Sequence, residues 1–192
     1  MKKEKAILLS YAAGIIDGEG SITFHHDNSF LTRRNRKKTE TWYPRITVKM
    51  NDGKVINFLF GLFGGRISIG RDLRKGIFPS FTWEIHCQKA AKIAKKLLPF
   101  LRTKKKQAEL IIRFQLRVDV GKKKYIVGKY WHKGIPSYEV EKRRSLALEL
   151  KRLNADNIHI PAGLTTEQVK RTKVLMRQSK LIGKKNNKIY EF

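Results

Sequence analysis

Two acidic side chains, separated by one glycine, stand at the end of an apolar run in the stretch YAAGIIDGEGSI, which covers residues 11–22. The run predicts a helix over residues 5–16, and the carbonyl end of a helix carries partial negative charge. Asp17 and Glu19 are therefore unfavourably placed unless a cation lies beside them. A divalent ion would interact with a carboxylate and with exposed backbone carbonyls together, and oxygen ligands of this kind favour Mg²⁺. The plainer alternative is that the two acids only end the helix and form the turn.

Three small residues in the same helix, Ala12, Ala13 and Gly14, would let a second helix approach closely. One carboxylate is a weak metal site on its own, but two paired copies of the chain would bring two copies of Glu19 together. With DNA phosphates as further ligands, this is the arrangement of two-metal phosphodiester hydrolysis. The stretch has no second copy in the sequence, so the pairing would be that of a homodimer.

The charge of the chain indicates the class of partner. Its 192 residues include 43 Lys and Arg against 16 Asp and Glu, which gives a net charge of +27. Such an excess repels itself in a compact fold and makes sense when a polyanion is bound. DNA or RNA is therefore expected as the partner before an anionic membrane surface. A hydrophobic content of 41% is typical of a folded domain.

Other classes are excluded by what the sequence lacks. Cys87 is its one cysteine, which excludes an internal disulfide and a cysteine zinc cluster. No apolar run reaches the roughly 18 residues of a membrane span, so no membrane partner is expected. We expect an intracellular protein, from an archaeal or bacterial cytoplasm or from a eukaryotic organelle.

The elements that must position the two acids follow an α+β pattern. Strands are predicted at 21–27, 41–50, 66–70 and 80–87, and helices at 52–63, 89–98, 104–118, 138–153 and 165–181. The order α-β-β-α-β-β predicts a four-stranded antiparallel sheet with helices on one face. Asp52 and Thr103 are the predicted N-caps of their helices. Thr165 and Gln168 form a capping-box pattern, and Pro44 indicates an edge position or an irregularity.

Alternation along the strands predicts a polar, basic face opposite the helices. In residues 41–50, apolar side chains fall on one face and hydrogen-bonding or positive side chains on the other. If every strand alternates in this way, the polar face carries Ser21, Thr23, His25, Thr41, Tyr43, Arg45, Thr47, Lys49, Arg66, Ser68, Thr82, Glu84 and His86. Such side chains can read base edges in a DNA groove, although an ordinary solvated face would have the same composition.

The loops between the strands are strongly basic. They carry Arg33, Arg34, Arg36, Lys37, Lys38, Arg71, Arg74 and Lys75. These residues are expected to bind DNA phosphates, which position a protein on the duplex without specifying its sequence. Lys104, Lys105 and Lys106 also fall in the first turn of a predicted helix, where positive charge is unfavourable. That arrangement, like the acidic pair, indicates a site at which local stability was not decisive.

The acidic stretch resembles the LAGLIDADG signature of homing endonucleases. Residues 12–20, AAGIIDGEG, fill its nine positions, with Ala12 in place of the leading leucine and Glu19 in place of the second aspartate. The segments FGGRI and LLPFLRTKKKQAEL also match the family, so the resemblance covers roughly residues 6–117. It implies an α-β-β-α-β-β-α fold with a saddle-like sheet that lies in the major groove of DNA.

The resemblance also implies roles for individual residues. Glu19 would bind the metal with help from the Gly18 carbonyl, and Asp17 would help to end the helix. Lys104 would lie near the scissile phosphates. A polar residue late in the second strand would position the attacking water, and the sequence offers Asn51, which could do so, or Met50, which could not. The expected dimer interface comprises Tyr11, Ala12, Ala13, Gly14, Ile15 and Asp17.

The function implied by the resemblance is an intron-encoded homing endonuclease that uses Mg²⁺, or Mn²⁺, to cut both strands of a long pseudo-palindromic site with short 3′ overhangs. An RNA-binding maturase that acts on its intron RNA is one alternative. A non-cleaving DNA-binding regulator on the same fold is the other. The expected organisation is an endonuclease core at 1–118, a basic aromatic loop or hairpin at 119–137, and a C-terminal helical extension of the same domain at 138–192.

Overall fold

The computed structural model describes residues 2–27, 41–70, 79–125, 136–156 and 165–168. The elements in these ranges are α1 (Lys2–Glu19), β1 (Gly20–Asp27), β2 (Thr41–Met50), α2 (Gly53–Phe63), β3 (Arg66–Gly70), β4 (Ser80–His86), α3 (Cys87–Leu97), α4 (Lys105–Tyr125) and α5 (Ser137–Asp156). None of the helices in these ranges combines the length and the apolar character needed to cross a bilayer. The predicted order of helices and strands is confirmed.

The four strands form one antiparallel sheet in the order β1-β2-β4-β3. Pro44 was predicted to mark an edge position or an irregularity; β2 lies inside the sheet, but Pro44 itself occupies a local edge position. Pro44 is opposite Phe24 on β1, whereas the pairing with β4 begins only at Arg45. The proline therefore occupies the end of β2 that has a single neighbouring strand, where a missing N–H donor is tolerated.

The core lies between the apolar face of the sheet and the helices. In β2 the side chains of Pro44, Ile46 and Val48 are buried, and in β4 those of Trp83 and Ile85 are buried, as the period of two predicts. Helices α1, α3 and α4 pack their apolar sides on this face, and they contribute most of the other buried side chains. The described helices that pack on the sheet do so on this face.

Two consecutive glycines make the turn between α2 and β3. Gly64 has φ 67° and Gly65 has φ 108°, which are conformations that favour glycine. A Cβ on Gly65 would also lie 2.7 Å from the carbonyl oxygen of Glu84. The indole nitrogen of Trp83 donates a hydrogen bond to the Gly64 carbonyl at 2.7 Å. The FGGRI segment is thus explained by a tight turn that packs on β4.

Several predicted boundaries were wrong. Cys87, predicted to end a strand, begins α3 with φ 55°. Helix α4 continues to Tyr125, so residues 119–125 are not part of a loop or hairpin, and residues 126–135 lie outside the described residues. Helix α5 begins one residue earlier and ends three residues later than predicted, and its Leu146 and Leu150 belong to the core.

The chain divides into two compact units, residues 1–154 and 155–192. The first unit contains the sheet and the core described above. In the second unit, the Gln168 N–H donates to Thr165 Oγ1 at 3.3 Å and the Thr165 N–H donates to Gln168 Oε1 at 2.9 Å. These reciprocal bonds confirm the predicted capping box; the predicted continuation of this helix to residue 181 lies outside the described residues.

A buried acid joins α4 to α5. Glu139 is only 4% exposed, and its carboxylate accepts hydrogen bonds from Arg117 at 2.6 Å and from Arg143 at 3.1 Å. Burial by itself raises the pKa of Glu139, but the hydrogen bonds and charges of the two arginines outweigh burial and hold the pKa below its usual value of 4.5. The ionised carboxylate is therefore the form that stabilises this junction.

We expect Glu139→Gln to lower the free energy of unfolding by about 1–3 kcal/mol, because hydrogen bonds to a charged group are lost. The folded-state pKa is depressed, so the loss should be complete above about pH 4.5 and should disappear as pH falls through the folded-state pKa. Denaturant unfolding at neutral and acidic pH measures both effects. Glu141→Gln is the matched control, since this exposed glutamate pairs with Arg144 one turn away, and it should change stability little. Equal effects of both substitutions would contradict this account of the junction.

Candidate functional site

Asp17, in the last turn of α1, binds the segment that precedes α4. Its carboxylate accepts hydrogen bonds from the backbone N–H of Arg102 at 2.6 Å, the N–H of Lys104 at 2.9 Å and the hydroxyl of Thr103 at 3.0 Å. Burial alone raises the pKa of Asp17, but these hydrogen bonds outweigh burial and lower the pKa below 3.8. The acid is therefore structural, as predicted.

These contacts correct two predictions. Thr103 is not a side-chain cap of α4, because its hydroxyl donates to Asp17, and Asp17 supplies the acceptors at the start of that helix instead. The carboxylate of Asp17 is held within its own chain, so it is not available to the dimer interface in which it was predicted. The segment 102–104 is thereby fastened to the end of α1.

The contacts of Lys104 explain why a positive charge stands at the start of α4, where its sign is unfavourable. Its ammonium group donates to the backbone carbonyl of Ile16 at 3.1 Å and to the carbonyl of Asp17. Positive charge is favourable at this carbonyl end of α1, although it is unfavourable for α4. Burial lowers the pKa of Lys104, and the negative charges of Asp17 and Glu19 partly oppose that shift. A cationic group therefore lies close to both acids.

Glu19 is the last residue of α1, and its side chain is exposed. No hydrogen bond or ion pair holds its carboxylate among the described residues, in contrast to Asp17. The turn into β1 immediately follows, and a Cβ on Gly20 would lie 2.7 Å from the Ile16 backbone. Gly20 is therefore required for the chain to leave the helix at this point. The Glu19 carboxylate is therefore exposed to solvent where α1 ends and the turn into β1 begins.

The described part of one chain does not enclose a metal site. Within the described ranges, no group of three or more His, Cys, Asp or Glu side chains could hold an ion. The Glu19 carboxylate and the neighbouring Gly18 carbonyl are hard oxygen donors of the kind that Mg²⁺ binds, and Mg²⁺ takes few protein ligands. The donors fit this ion if other molecules complete the coordination, which agrees with the expectation of a second copy and DNA phosphates.

The end of β2 lies at the same edge of the sheet as the end of α1. Gly20, the first residue of β1, is opposite Val48, so the strand ends two residues beyond this pair. Met50 packs against the core, and Asn51 is exposed. Of the two candidates for positioning a water molecule, only Asn51 therefore presents its side chain to solvent at this edge.

The exposed side of α1 is an apolar stripe. Ile7 is 61% exposed, Leu8 42% and Tyr11 56%, and they are followed at helical spacing by Gly14 and Gly18, which are also exposed. A Cβ on either glycine would meet no atom within 4 Å. The helix therefore has a continuous surface on which a second helix could approach closely.

This stripe differs from the predicted dimer interface. Ala12 and Ala13 are 0% exposed because they face the core of their own chain, so their side chains cannot line an interface. Ile15 is half-buried against the same core. Tyr11 and Gly14 remain as interface candidates from the prediction. Ile7 and Leu8 belong to the exposed stripe but were not in the predicted set, although their spacing from Tyr11 and Gly14 places them on the same side of the helix.

The predicted polar face is present as a set of cross-strand rows. Lys49, Thr82 and Ser68 form the row nearest the Glu19 edge, followed by Ser21, Thr47, Glu84 and Arg66, then Thr23, Arg45 and His86, and then His25 and Tyr43, with Thr41 at the far end. The rings of Tyr43 and His25 lie 4.8 Å apart. The alternation in the sequence therefore places every strand residue of the predicted DNA-binding set on one face.

Glu84 is the one acid among the strand residues that were predicted to bind DNA. Its carboxylate lies 3.4 Å from Nε2 of His86 and 3.9 Å from a guanidinium nitrogen of Arg66. Glu84 thus lies between His86, two residues along its own strand, and Arg66, its partner on β3. Apart from Asp27, which lies opposite Thr41 at the far end, the other residues of these rows are uncharged or positive, which suits contact with a polyanion.

Comparison with known proteins agrees with this architecture. No family model and no curated protein matches the chain. Among solved structures it is similar to the homing endonuclease I-CvuI in complex with its target, with a TM-score of 0.56 at 15% identity over 88% of this chain and 94% of that chain. It is also similar to the archaeal intron-encoded homing endonuclease I-Vdi141I complexed with DNA, with a TM-score of 0.57 at 15% identity over 92% and 99% of the two chains. The chain has the homing-endonuclease fold.

The homing-endonuclease fold was predicted from the resemblance at residues 12–20 and is confirmed. A third similar structure is that of a homing endonuclease, I-TnaI, with a TM-score of 0.53 at 17% identity over 78% of this chain and 97% of that chain. The fold brings Glu19, Lys104 and the end of β2 to one edge of the polar face. The loop residues predicted to bind phosphates lie outside the described residues: Arg33, Arg34, Arg36, Lys37, Lys38, Arg71, Arg74 and Lys75.

One contact of the homing-endonuclease fold in this chain has no signal in the sequence. The amide nitrogen of Asn154, near the end of α5, donates to the backbone carbonyl of Ile22 on the edge strand β1 at 3.0 Å. Because an unpaired strand edge is prone to pair with other chains, α5 protects this side of the sheet. The opposite side of β1 remains paired with β2.

Proposed function

We propose that the protein is a Mg²⁺-dependent DNA endonuclease that acts as a homodimer on a long, nearly palindromic site. The observation that carries this proposal is the Glu19 carboxylate, which has no partner within the described ranges and is held by its turn beside Lys104 at the edge of a basic sheet face. An isolated acid at a helix end has no stabilising role that this chain supports, whereas Asp17, two residues earlier, has a clear one. Cutting of both strands with short 3′ overhangs and an origin in an intron belong to the same proposal.

The residues of the chain would divide the work as follows. Glu19 and the Gly18 carbonyl would hold Mg²⁺, or Mn²⁺ in its place, which when bound activates water and stabilises charge on a phosphate. Lys104 would keep positive charge at the same edge of the sheet, where the scissile phosphates would lie. Asn51 would orient the water that attacks. Asp17 would hold the segment that carries Lys104, so that its position does not change when DNA binds.

Double-stranded DNA is the proposed partner of the polar face. The net charge of +27 favours a polyanion, and the rows of hydrogen-bonding side chains suit the edges of bases in a major groove. The similar structures of I-CvuI and I-Vdi141I are complexes with a target and with DNA, which supports DNA as the partner of this chain. Two chains related by a twofold axis would read the two halves of the site.

The endonuclease activity can be tested on random DNA, so the target sequence need not be chosen in advance. The purified chain is incubated with a plasmid library of random inserts, with Mg²⁺ or with a chelator, and linearised plasmids are sequenced at both ends. We expect a small family of nearly palindromic inserts to be cut only when Mg²⁺ is present. A folded protein that binds DNA and cuts no insert would contradict the proposal.

Dimer formation should depend on Gly14. We expect Gly14→Leu to prevent dimer formation and to abolish cleavage, because the added side chain would separate two helices that pack on the stripe. The substitution should not unfold the chain, since a Cβ at Gly14 meets no atom within 4 Å. Sedimentation velocity gives the oligomeric state, and thermal unfolding checks the fold. Gly61→Leu is a matched control on α2, where a Cβ also meets no atom within 4 Å, and it should leave dimer formation intact. A dimeric Gly14→Leu protein would contradict pairing through this stripe.

A further inference from the structure

In one row of the polar face, the described residues leave buried hydrogen-bonding atoms unused. Thr23 on β1, Arg45 on β2 and His86 on β4 lie directly opposite one another. Oγ1 of Thr23, Nε of Arg45 and Nδ1 of His86 are all buried, and none has a hydrogen-bond partner in the part of the chain that the structure describes. Buried polar atoms are seldom left unpaired in native proteins. Three such unpaired atoms in one row of adjacent strands therefore indicate a part of this face that is suited to bind a polar ligand.

Among the described residues, Arg45 also has no ionic partner. Of the acids on this face, Glu84 lies next to His86 and Arg66, and Asp27 lies opposite Thr41, two rows from Arg45. Over the described ranges of the chain no acid lies within ion-pair distance of Arg45. The side chain is half-buried, so its neighbours restrict its motion. A cationic group that is restricted and unpaired is pre-organised for a ligand, because little conformational entropy remains to be lost on binding.

The other cations of the face differ from Arg45 in these respects. Arg66 is 75% exposed and lies 3.9 Å from Glu84. Lys49 is exposed, and its ammonium group is a point charge on a flexible stem. Arginine presents a planar fork that pairs with O6 and N7 of guanine, which is the commonest base-specific contact in the major groove. Arg45 thus combines the fitting chemistry with a fixed position.

We propose that Arg45 reads a guanine at one position in each half of the DNA site, with Thr23 and His86 beside it in the row. This proposal rests on the proposed function only in requiring double-stranded DNA on the polar face. Arg45 lies four residues from Lys49, in the direction away from Glu19, which is about 13 Å along a strand. At about 3.4 Å per base pair, the guanine should lie about four base pairs farther from the centre of the site than the pair facing Lys49.

The test is a binding selection from random duplex DNA in the absence of Mg²⁺, carried out with the wild-type chain, Arg45→Gln, Arg45→Lys and Lys49→Gln. We expect the wild type to select guanine at two symmetric positions. Arg45→Gln should lower the preference for guanine there by about 5- to 150-fold and leave the other positions unchanged. Arg45→Lys should lose most of the same preference, because its ammonium group lacks the fork. Lys49→Gln should act, if at all, nearer the centre.

Each outcome decides the matter. An Arg45→Gln chain that keeps the guanine preference, or that binds all sequences more weakly without changing any preference, overturns the proposal. Thermal unfolding of the variant confirms that the fold is retained. Because the selection needs no cleavage, a wild-type chain that selects guanine through Arg45 but never cuts would support this inference and contradict the endonuclease. If the wild-type chain cuts its site and Arg45 has no role in selecting it, the endonuclease proposal is supported and this inference is contradicted.

Discussion

Replacing Glu19 with glutamine should lower the rate of DNA cleavage by about 10³-fold, the upper range for removing one electrostatic group from an active site, and leave DNA binding intact. Glutamine keeps the size of the side chain but removes its charge, and an uncharged amide is a much weaker ligand for Mg²⁺ than a carboxylate. The wild-type carboxylate makes no hydrogen bond or ion pair within the described ranges, so the fold should not change. In a homodimer both copies of the residue are altered, which makes the loss larger than that of one ligand.

The measurement is single-turnover cleavage of a selected site, together with binding in Ca²⁺ and thermal unfolding. Glu109→Gln is the matched control, because Glu109 is an exposed glutamate on α4, and this variant should cut like the wild type. A Glu19→Gln chain that still cuts at the wild-type rate would refute Glu19 as a metal ligand.

Replacing Asp17 with alanine should produce the opposite pattern. Its main effect should be on stability, and any loss of cleavage should follow from the altered fold. The substitution leaves two backbone N–H groups without their acceptor and removes the nearer acceptor of the Thr103 hydroxyl, which keeps only the backbone carbonyl of residue 17 at 3.4 Å. The free energy of unfolding should therefore fall by about 2–4 kcal/mol. Because the pKa of Asp17 is lowered, its contribution is complete above about pH 3.8 and is lost as pH falls through the folded-state pKa. Cleavage should also decline, since Lys104 would no longer be fixed at the end of α1.

Denaturant unfolding of the wild type and Asp17→Ala at neutral and acidic pH measures this contribution. Asp52→Ala gives a scale for comparison, because Asp52 caps α2 with one hydrogen bond to the N–H of Lys54 at 2.8 Å, and its loss should amount to about 1 kcal/mol. If Asp17→Ala were no less stable than Asp52→Ala, the three-donor contact would not hold the segment before α4. Glu19→Gln should match the wild type in the same experiment, which separates the structural acid from the functional one.

Local patterns were enough to predict the sheet and its polar face. The alternation in β2 and β4 is strict, and a strand buried on one face has little freedom to shift by one residue without exposing its core side chains. The glycines at 64 and 65 correctly marked the end of α2, because only a residue without a Cβ fits that turn. Resemblance in the acidic stretch then supplied the connection between this sheet and a reaction, which periodicity alone does not provide.

Contacts between distant residues limited the prediction of the site. Asp17 and Lys104 are 87 residues apart in the chain. Each has a charge of unfavourable sign for its own helix, and only their meeting at the end of α1 explains both. Ala12 and Ala13 were assigned to an interface because they are small, whereas the turn of the helix points them into the core. Helix α4 continues past its predicted end through Gly121, because a glycine costs a helix only about 1 kcal/mol.

The central claim is that two identical chains bring two copies of Glu19 to one DNA duplex. Native mass spectrometry of the Glu19→Gln chain on a selected duplex tests it most directly, since that variant should bind and not cut. The account predicts a complex of one duplex with two chains of 22.4 kDa each. A complex of one duplex with a single chain would contradict it.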